Sequence, residues 1–210
     1  MTFDPGYGDT PLDPDEADAL TAEARAVVGD PPLKAAIFEL EQEIEQAVAL
    51  DLINAVLRGE LGVDDLLTPG FVFDLHARLY GAVWTWAGRA RVRLLSIGVD
   101  PAQVQVQVDL RSTLDNLAYR WASTKDWDAR QFGIAVHAEL VRIHPFVDGN
   151  GRATRLIGDL VYVAAQGVDS PPAVYDWSFD KRTYIDLLRV FDQNRDPIPL
   201  AAFIPITLIE

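Results

Sequence analysis

The sequence predicts a mostly α-helical domain carrying a single β-hairpin, and three observations lead there. Apolar residues recur every three or four positions along much of the chain, as in Ile37, Leu40, Ile44, Val48, Leu52 and Val56, which is the spacing of one buried helix face. The stretch Gln103-Val104-Gln105-Val106-Gln107-Val108 alternates with period two instead, the pattern of a half-buried strand. Apolar residues make up 49% of the chain, enough to close a core and too many for a disordered segment.

Residues 1–32 are rich in Pro, Gly and Asp and read as an N-terminal arm packed on or flanking the domain, which then occupies 33–210. Within the arm, Asp13-Pro14-Asp15-Glu16 starts a short helix through Ala24, with proline at its first position and acids in its first turn. Pro31-Pro32 breaks the chain, and a long helix follows from Leu33 to Arg58, ended by Gly59 and Gly62. Thr68-Pro69 opens another helix with Phe71, Leu75 and Leu79 on one face up to Tyr80; His76 there is a surface or packing residue. The aromatics of Val83-Trp84-Thr85-Trp86-Ala87-Gly88-Arg89 point to tight packing rather than to a ligand.

Two runs, Arg91 to Ser96 and Gln103 to Val108, form the hairpin, with Gly98, Asp100 and Pro101 supplying its turn. Alone it is marginal, so it must rest on the helices. Its edge is either a structural flap or a place where an extended target segment could pair. Helices resume over Leu110–Ala122, Ala129–Ile143 and Gly151–Ala165. His137 falls away from the apolar stripe and receives no function. After Pro171-Pro172, Phe179–Phe191 is a further helix with Tyr184, Leu187 and Val190 inward, and Pro197-Ile198-Pro199 precedes a short apolar tail.

The densest chemistry lies in His144-Pro145-Phe146-Val147-Asp148-Gly149-Asn150-Gly151-Arg152-Ala153-Thr154-Arg155, between two apolar helices. Gly149 and Gly151 let backbone N–H groups converge where side chains would crowd. A loop of that kind leading into a helix presents unpaired donors and the positive end of the helix dipole, which together bind anions. Arg152 and Arg155, three apart, share a face, and guanidinium forks suit phosphate oxygens. Asp148 can carry Mg²⁺ onto the same phosphates, because that ion commonly takes one or two carboxylates plus phosphate oxygens. His144 can take a proton from an incoming hydroxyl, a contribution of roughly 10²–10⁴-fold. Phe146 points inward as an anchor. Taken singly, the histidine could be a helix cap and Gly-Asn-Gly a turn. A calcium loop is excluded by Arg152 at its fifth position, and no Walker loop occurs.

Charge and composition narrow the class. A net charge of −14 argues against nucleic acid or anionic membrane as a direct partner. The chain has no cysteine, so thiolate catalysis, disulfides and cysteine zinc sites are out. The first residues carry no basic region or apolar signal core, and no apolar run reaches membrane-spanning length. A cytoplasmic protein is expected.

The string from His144 to Arg155 fits, at each defined position, the active-site motif of the Fic family, His-x-Phe-x-Asp/Glu-Gly-Asn-Gly-Arg-x-x-Arg. The chain resembles that family from about Leu33 to Phe203, and Tyr80 to Arg89 is similar to the segment Fic proteins carry there. The opening Thr10-Pro11-Leu12-Asp13-Pro14-Asp15-Glu16-Ala17 resembles the subgroup called mobile mystery protein B. The resemblance implies a Fic-type helical bundle with a β-hairpin flap over the active-site loop. It also implies transfer of AMP from ATP to a Ser, Thr or Tyr hydroxyl of a target protein, with release of pyrophosphate. Carried over by position, His144 would be the base, Asp148 the Mg²⁺ ligand, and Gly149, Asn150 and Gly151 the phosphate cradle. Arg152 would bind the β-phosphate region and Arg155 the γ-phosphate. Flap residues Leu94, Leu95, Ser96, Ile97 and Gly98 would align the target, and Tyr184 would border the adenine pocket.

Doc-type relatives, which move a phosphoryl group, carry Lys where this chain has Gly151, so the resemblance favours nucleotidyl transfer. No Ser/Thr-x3-Glu-Gly/Asn inhibitory pattern occurs in the chain, which implies either a separate small inhibitor of the antitoxin kind or no such restraint. The alternatives are a Fic-fold transferase using another nucleotide or moving a phosphoryl group, and a non-catalytic module binding nucleotide or protein. The intact His144, Asp148 and Arg152 speak against the module.

Overall fold

A computed structural model describes residues 12–92, 106–167 and 171–209. It is mostly helical, as the apolar spacing predicts. The helices are α1 (Pro14–Asp18), α2 (Ala22–Val28), α3 (Lys34–Leu57), α4 (Val63–Leu66), α5 (Pro69–Tyr80), α6 (Val106–Ser123), α7 (Ala129–Ile143), α8 (Asn150–Ala165), α9 (Lys181–Asn194) and α10 (Ile198–Phe203); two short strands are β1 (Ala173–Tyr175) and β2 (Ile206–Leu208). Contacts divide the chain into two compact units, residues 1–51 with 73–89 and residues 52–72 with 90–210.

In the first unit the arm holds two helices where the sequence suggests one. Thr21 starts α2 by accepting a hydrogen bond from the Ala24 N–H, so it interrupts the run. Its own N–H donates to the Val83 carbonyl, its hydroxyl donates to the Ala82 carbonyl, and Leu20 bridges Trp84. The aromatic segment packs as expected. Trp84 Nε1 donates to the buried Glu41 at 2.6 Å, the Tyr80 hydroxyl donates to Glu45, and His76, fully buried, accepts from the Gly88 N–H.

The second unit is centred on α7 and α8. Asp128 caps α7 by accepting from the Gln131 N–H, while the Gln131 side chain accepts from the Asp128 N–H; such a reciprocal cap contributes about 1 kcal/mol. Helix α7 is then buried from Phe132 to Ala138 without interruption, and again at Leu140 and Ile143. It sits under α6, whose Leu110, Leu114 and Leu117 are buried, and Trp121 stacks on Phe132 with ring centroids 4.5 Å apart. On the other side Ile134, Ala138, Tyr162, Tyr175, Phe191, Leu200 and Ile204 form a shared core with α8, α9, α10 and β1. Each such large side chain withdrawn from water contributes about 2 kcal/mol.

Glycines set how close α7 and α8 lie. A Cβ on Gly133 would stand 2.8 Å from the Gly158 carbonyl oxygen and 2.5 Å from the Tyr175 hydroxyl. A Cβ on Gly158 would stand 3.1 Å from the Cβ of His137. The backbones meet with nothing between them.

Three expectations are corrected here. Val106, Gln107 and Val108, placed by alternation in the second hairpin strand, belong to α6. Val106 is the first member of the buried stripe Val106, Leu110, Leu114, Leu117, so helical burial wins over a two-residue period that also fits it. Arg91 and Val92 have no regular structure. The rest of the expected flap, including Leu94, Leu95, Ser96, Ile97 and Gly98, lies outside the described residues. The pair of strands that is described lies elsewhere: β1 and β2 run antiparallel with Ala173 opposite Leu208 and Tyr175 opposite Ile206. Val190 is exposed on α9, and Phe191 takes the inward position.

Replacing Gly133 by Ala should destabilise the protein by about 1–3 kcal/mol through overpacking. The check is a denaturant titration, in which an unchanged midpoint would contradict the close approach of α7 and α8.

Candidate active site

The loop between α7 and α8 is built from two helix ends. Helix α7 closes with the His144 N–H on the Leu140 carbonyl at 2.9 Å, and His144 itself is left-handed, φ 53° and ψ 62°. A non-glycine residue in that conformation costs about 1–2 kcal/mol. Arg91 offsets that cost. It is only 2% exposed, its Nε donates to the His144 carbonyl at 2.5 Å, and its Nη2 donates to the Ile143 carbonyl at 3.3 Å. Its backbone N–H donates to the Pro145 carbonyl at 2.9 Å. Three successive carbonyls left over at the end of α7 thus meet one cationic residue, which also suits the negative end of the helix dipole. Hydrogen bonds from a charged donor contribute about 1.5–3 kcal/mol each.

The imidazole of His144 is half-buried, with Nδ1 3.4 Å from the Val141 carbonyl oxygen. A carbonyl can only accept, so the proton sits on Nδ1 and Nε2 is the basic nitrogen. Burial lowers the pKa of His144 below the ordinary 6.5, and the charge of Arg91 pushes the same way, against the Val141 carbonyl and the carboxylate of Asp148. The ring is a neutral base at pH 7.

Beyond His144 the loop is held by its own amide. Asn150 is buried; its Oδ1 accepts from the Phe146 N–H and its Nδ2 donates to the Phe146 carbonyl, both at 2.9 Å. Phe146 is inward, as predicted. Because the Asn150 side chain is engaged there, any part it takes in an anion cradle falls to its backbone N–H. Gly149 precedes α8 at φ 73°, a conformation that only glycine adopts cheaply, and no side chain caps the helix. A Cβ on Gly151 would meet nothing within 4 Å, so open space fronts the first turn. Asp148 is exposed and accepts from the Gly149 N–H at 2.7 Å. Among the described residues no three His, Cys, Asp or Glu side chains gather as a metal cluster. One exposed carboxylate beside an anion site nevertheless fits Mg²⁺, which completes its shell with phosphate and water oxygens.

Arg152 and Arg155 leave the first turns of α8, both partly exposed. Among the described residues nothing forms a hydrogen bond or ion pair with Arg155. Below it lies a polar cluster that sequence reasoning missed. His137 is fully buried, and its Nε2 lies 2.8 Å from the Tyr184 hydroxyl. Asp159, one turn after Arg155, accepts from the Tyr175 N–H and from Trp177 Nε1, both at 2.9 Å. Burial drives the pKa of His137 down to about 3 and that of Asp159 up to about 7. Tyr184 is raised to about 12 by burial, with the charge of Arg155 opposing. His137 therefore sits in the core rather than on the polar side of α7, and its Nε2 shares a hydrogen bond with the Tyr184 hydroxyl. The available signal for that burial was the apolar and small-residue run from Phe132 to Ala138 in which the histidine stands. For Arg91 the signal was thinner: an arginine between Ala90 and Val92.

Comparisons with known proteins bear on this arrangement. Residues 66–162 match the model of the Fic/DOC family. A solved structure described as BepC protein, a VirB-translocated Bartonella effector protein with bound AMPPNP from Bartonella tribocorum, shares the fold with a TM-score of 0.58 at 16% identity, over 83% of this chain and 88% of that one. The chain carries a Fic/DOC domain over residues 66–162. Protein adenylyltransferase fic-1 of Caenorhabditis elegans is 33% identical to it over 134 residues, 60% of this chain and 24% of its own length. Protein adenylyltransferase Fic of Nematostella vectensis is 27% identical over 158 residues, 72% of this chain and 34% of its own. The chain thus spans about a quarter to a third of the length of these curated relatives. No described helix is long and apolar enough to cross a membrane.

Two of the shifted groups below Arg155, His137 and Asp159, make opposite contributions to stability against pH. His137 binds a proton near 6.5 when unfolded but only near 3 when folded, so its contribution is full above pH 6.5 and falls as pH drops. Asp159 binds near 3.8 unfolded and near 7 folded, so its contribution is full below pH 3.8 and falls as pH rises to 7. The stability gap between wild type and His137→Gln should widen from pH 4 to 6.5, and that between wild type and Asp159→Asn should narrow. Denaturant titrations across that range check both slopes, and parallel gaps would contradict the assignment.

Proposed function

We propose that this Fic protein transfers AMP from ATP to a Ser, Thr or Tyr hydroxyl of a protein target. Arg155 carries the reading: a guanidinium on the first turns of α8, without a partner among the described residues, beside an uncapped helix N-terminus and open space at Gly151. That combination suits a polyphosphate. The names of the relatives, protein adenylyltransferases, support adenylyl transfer over other uses of such a site.

In this reading the phosphates lie against the backbone of Gly149, Asn150 and Gly151, with Arg152 on the β-phosphate and Arg155 on the γ-phosphate. His144 Nε2 takes the proton of the target hydroxyl. Its oxygen bonds to the α-phosphorus as the bond to the bridging oxygen breaks, and pyrophosphate leaves. Mg²⁺ held by Asp148 would neutralise charge on the phosphates. Residues Leu94 to Gly98 would align the target chain. Any contact of Tyr184 with adenine would come from its ring, since its hydroxyl is engaged by His137. Restraint, in the same reading, comes from a separate antitoxin-type protein that offers Arg155 a carboxylate in place of the γ-phosphate.

Label from α-labelled ATP should pass to a protein band in host lysate with Mg²⁺ present and be lost on chelation. His144→Ala should lower the rate by roughly 10²–10⁴-fold while ATP still binds. Because burial lowers the pKa of the base below the ordinary 6.5, the acid limb of kcat/KM should be centred below pH 6.5. Failure to bind any nucleotide would sink the reading, and an acid limb centred above pH 6.5 would remove His144 as the base.

A further inference from the structure

Arg91 stands outside the Fic motif by more than fifty residues, yet it touches the backbone of the motif's first two residues. Its guanidinium plane spans the Ile143 and His144 carbonyls and its own N–H holds the Pro145 carbonyl. A lysine could place a charge there but not a planar fork across two acceptors. His144 is left-handed, so its ring direction depends on a backbone conformation that the residue itself disfavours. Among the described residues, Arg91 bonds that backbone from outside the loop, while Asn150 holds the stretch that follows, at Phe146.

We propose that Arg91 is a positioning residue of the transfer site, holding the α7 terminus so that the His144 imidazole stays aimed at the incoming hydroxyl. This rests on the proposed role of His144 as base. It separates two properties the loop must have. The anion site depends on Gly149, Gly151 and the arginines of α8, whereas the aim of the base depends on Arg91. Loss of Arg91 therefore affects the chemical step and spares nucleotide binding.

The test reads the His144 ring itself. The chain has three histidines, so the His144 ring signal in a proton–carbon spectrum is the one that disappears in His144→Ala. In Arg91→Met that signal should move or split while those of His76 and His137, both fully buried, stay in place and report an intact fold. Where transfer is measurable, the same variant should lose about 100-fold in kcat, the size expected of a base displaced by an ångström. Its nucleotide Kd by calorimetry should be unchanged, and Arg91→Lys should recover part of the rate. A His144 signal at its wild-type position in Arg91→Met would overturn the proposal. So would a kcat loss matched by an equal loss in nucleotide affinity. Should Arg91→Met not fold, Arg91→Lys carries the same reading of the ring signal. The spectrum needs no turnover, so a wild-type protein that transfers nothing refutes the proposed function while the ring signal still decides the role of Arg91.

Discussion

The close contact of α7 with α8 is the constraint on which the rest of the second unit depends. Gly133 and Gly158 let the two backbones meet, and the short loop from His144 to Gly149 can then join helix ends of opposite polarity. One end gathers carbonyl oxygens and the other gathers N–H groups. A base belongs at the first and an anion at the second, but a histidine at a helix C-terminus is ordinarily pushed toward its charged form. Here Arg91 already supplies the positive charge that those carbonyls attract. Burial first, and the charge of Arg91 after it, leave the half-buried imidazole neutral.

A second layer of polar bonds ties the remaining elements to this pair. Asp159 holds β1 and Trp177 against α8, His137 and Tyr184 join α7 to α9, and the Gln166 side chain clasps Ala173 through both its donor and its acceptor. Most of these groups are wholly or largely withdrawn from water, so each bond restricts the geometry in which its elements can meet. The apolar core fixes which faces meet, and these bonds fix the register in which they meet.

Much of this was legible in the amino-acid order. The extents of α7 and α8 follow from the apolar runs on either side of the motif and from the glycines around Asn150. The motif residues fall in one loop as their spacing demands, and Phe146 is inward as its neighbours suggest. What escaped notice has physical reasons. Strands of three residues, set about thirty apart in sequence, are too short to show a period, so β1 and β2 were invisible. The alternation before Leu110 satisfied two templates, and the helical one buried more. His137 and Arg91 were passed over because polar side chains are read as solvent-facing by default, whereas a fully packed helix and a row of leftover carbonyls each call for one inside. The short helix of the arm was split by a capping threonine whose partner, the 82–85 turn, is distant in sequence.

The clasp between Asn150 and Phe146 has a thermodynamic meaning of its own. A glycine-bracketed loop would ordinarily be a loose segment that stiffens only around its ligand, and every binding event would then bear the cost of ordering it. With the oxygen and the nitrogen of one side-chain amide locked onto both backbone groups of another residue, the loop is ordered when the chain folds. The conformational entropy is surrendered once, against the stability of the whole domain, and what an arriving anion gains from the site is spent on none of it.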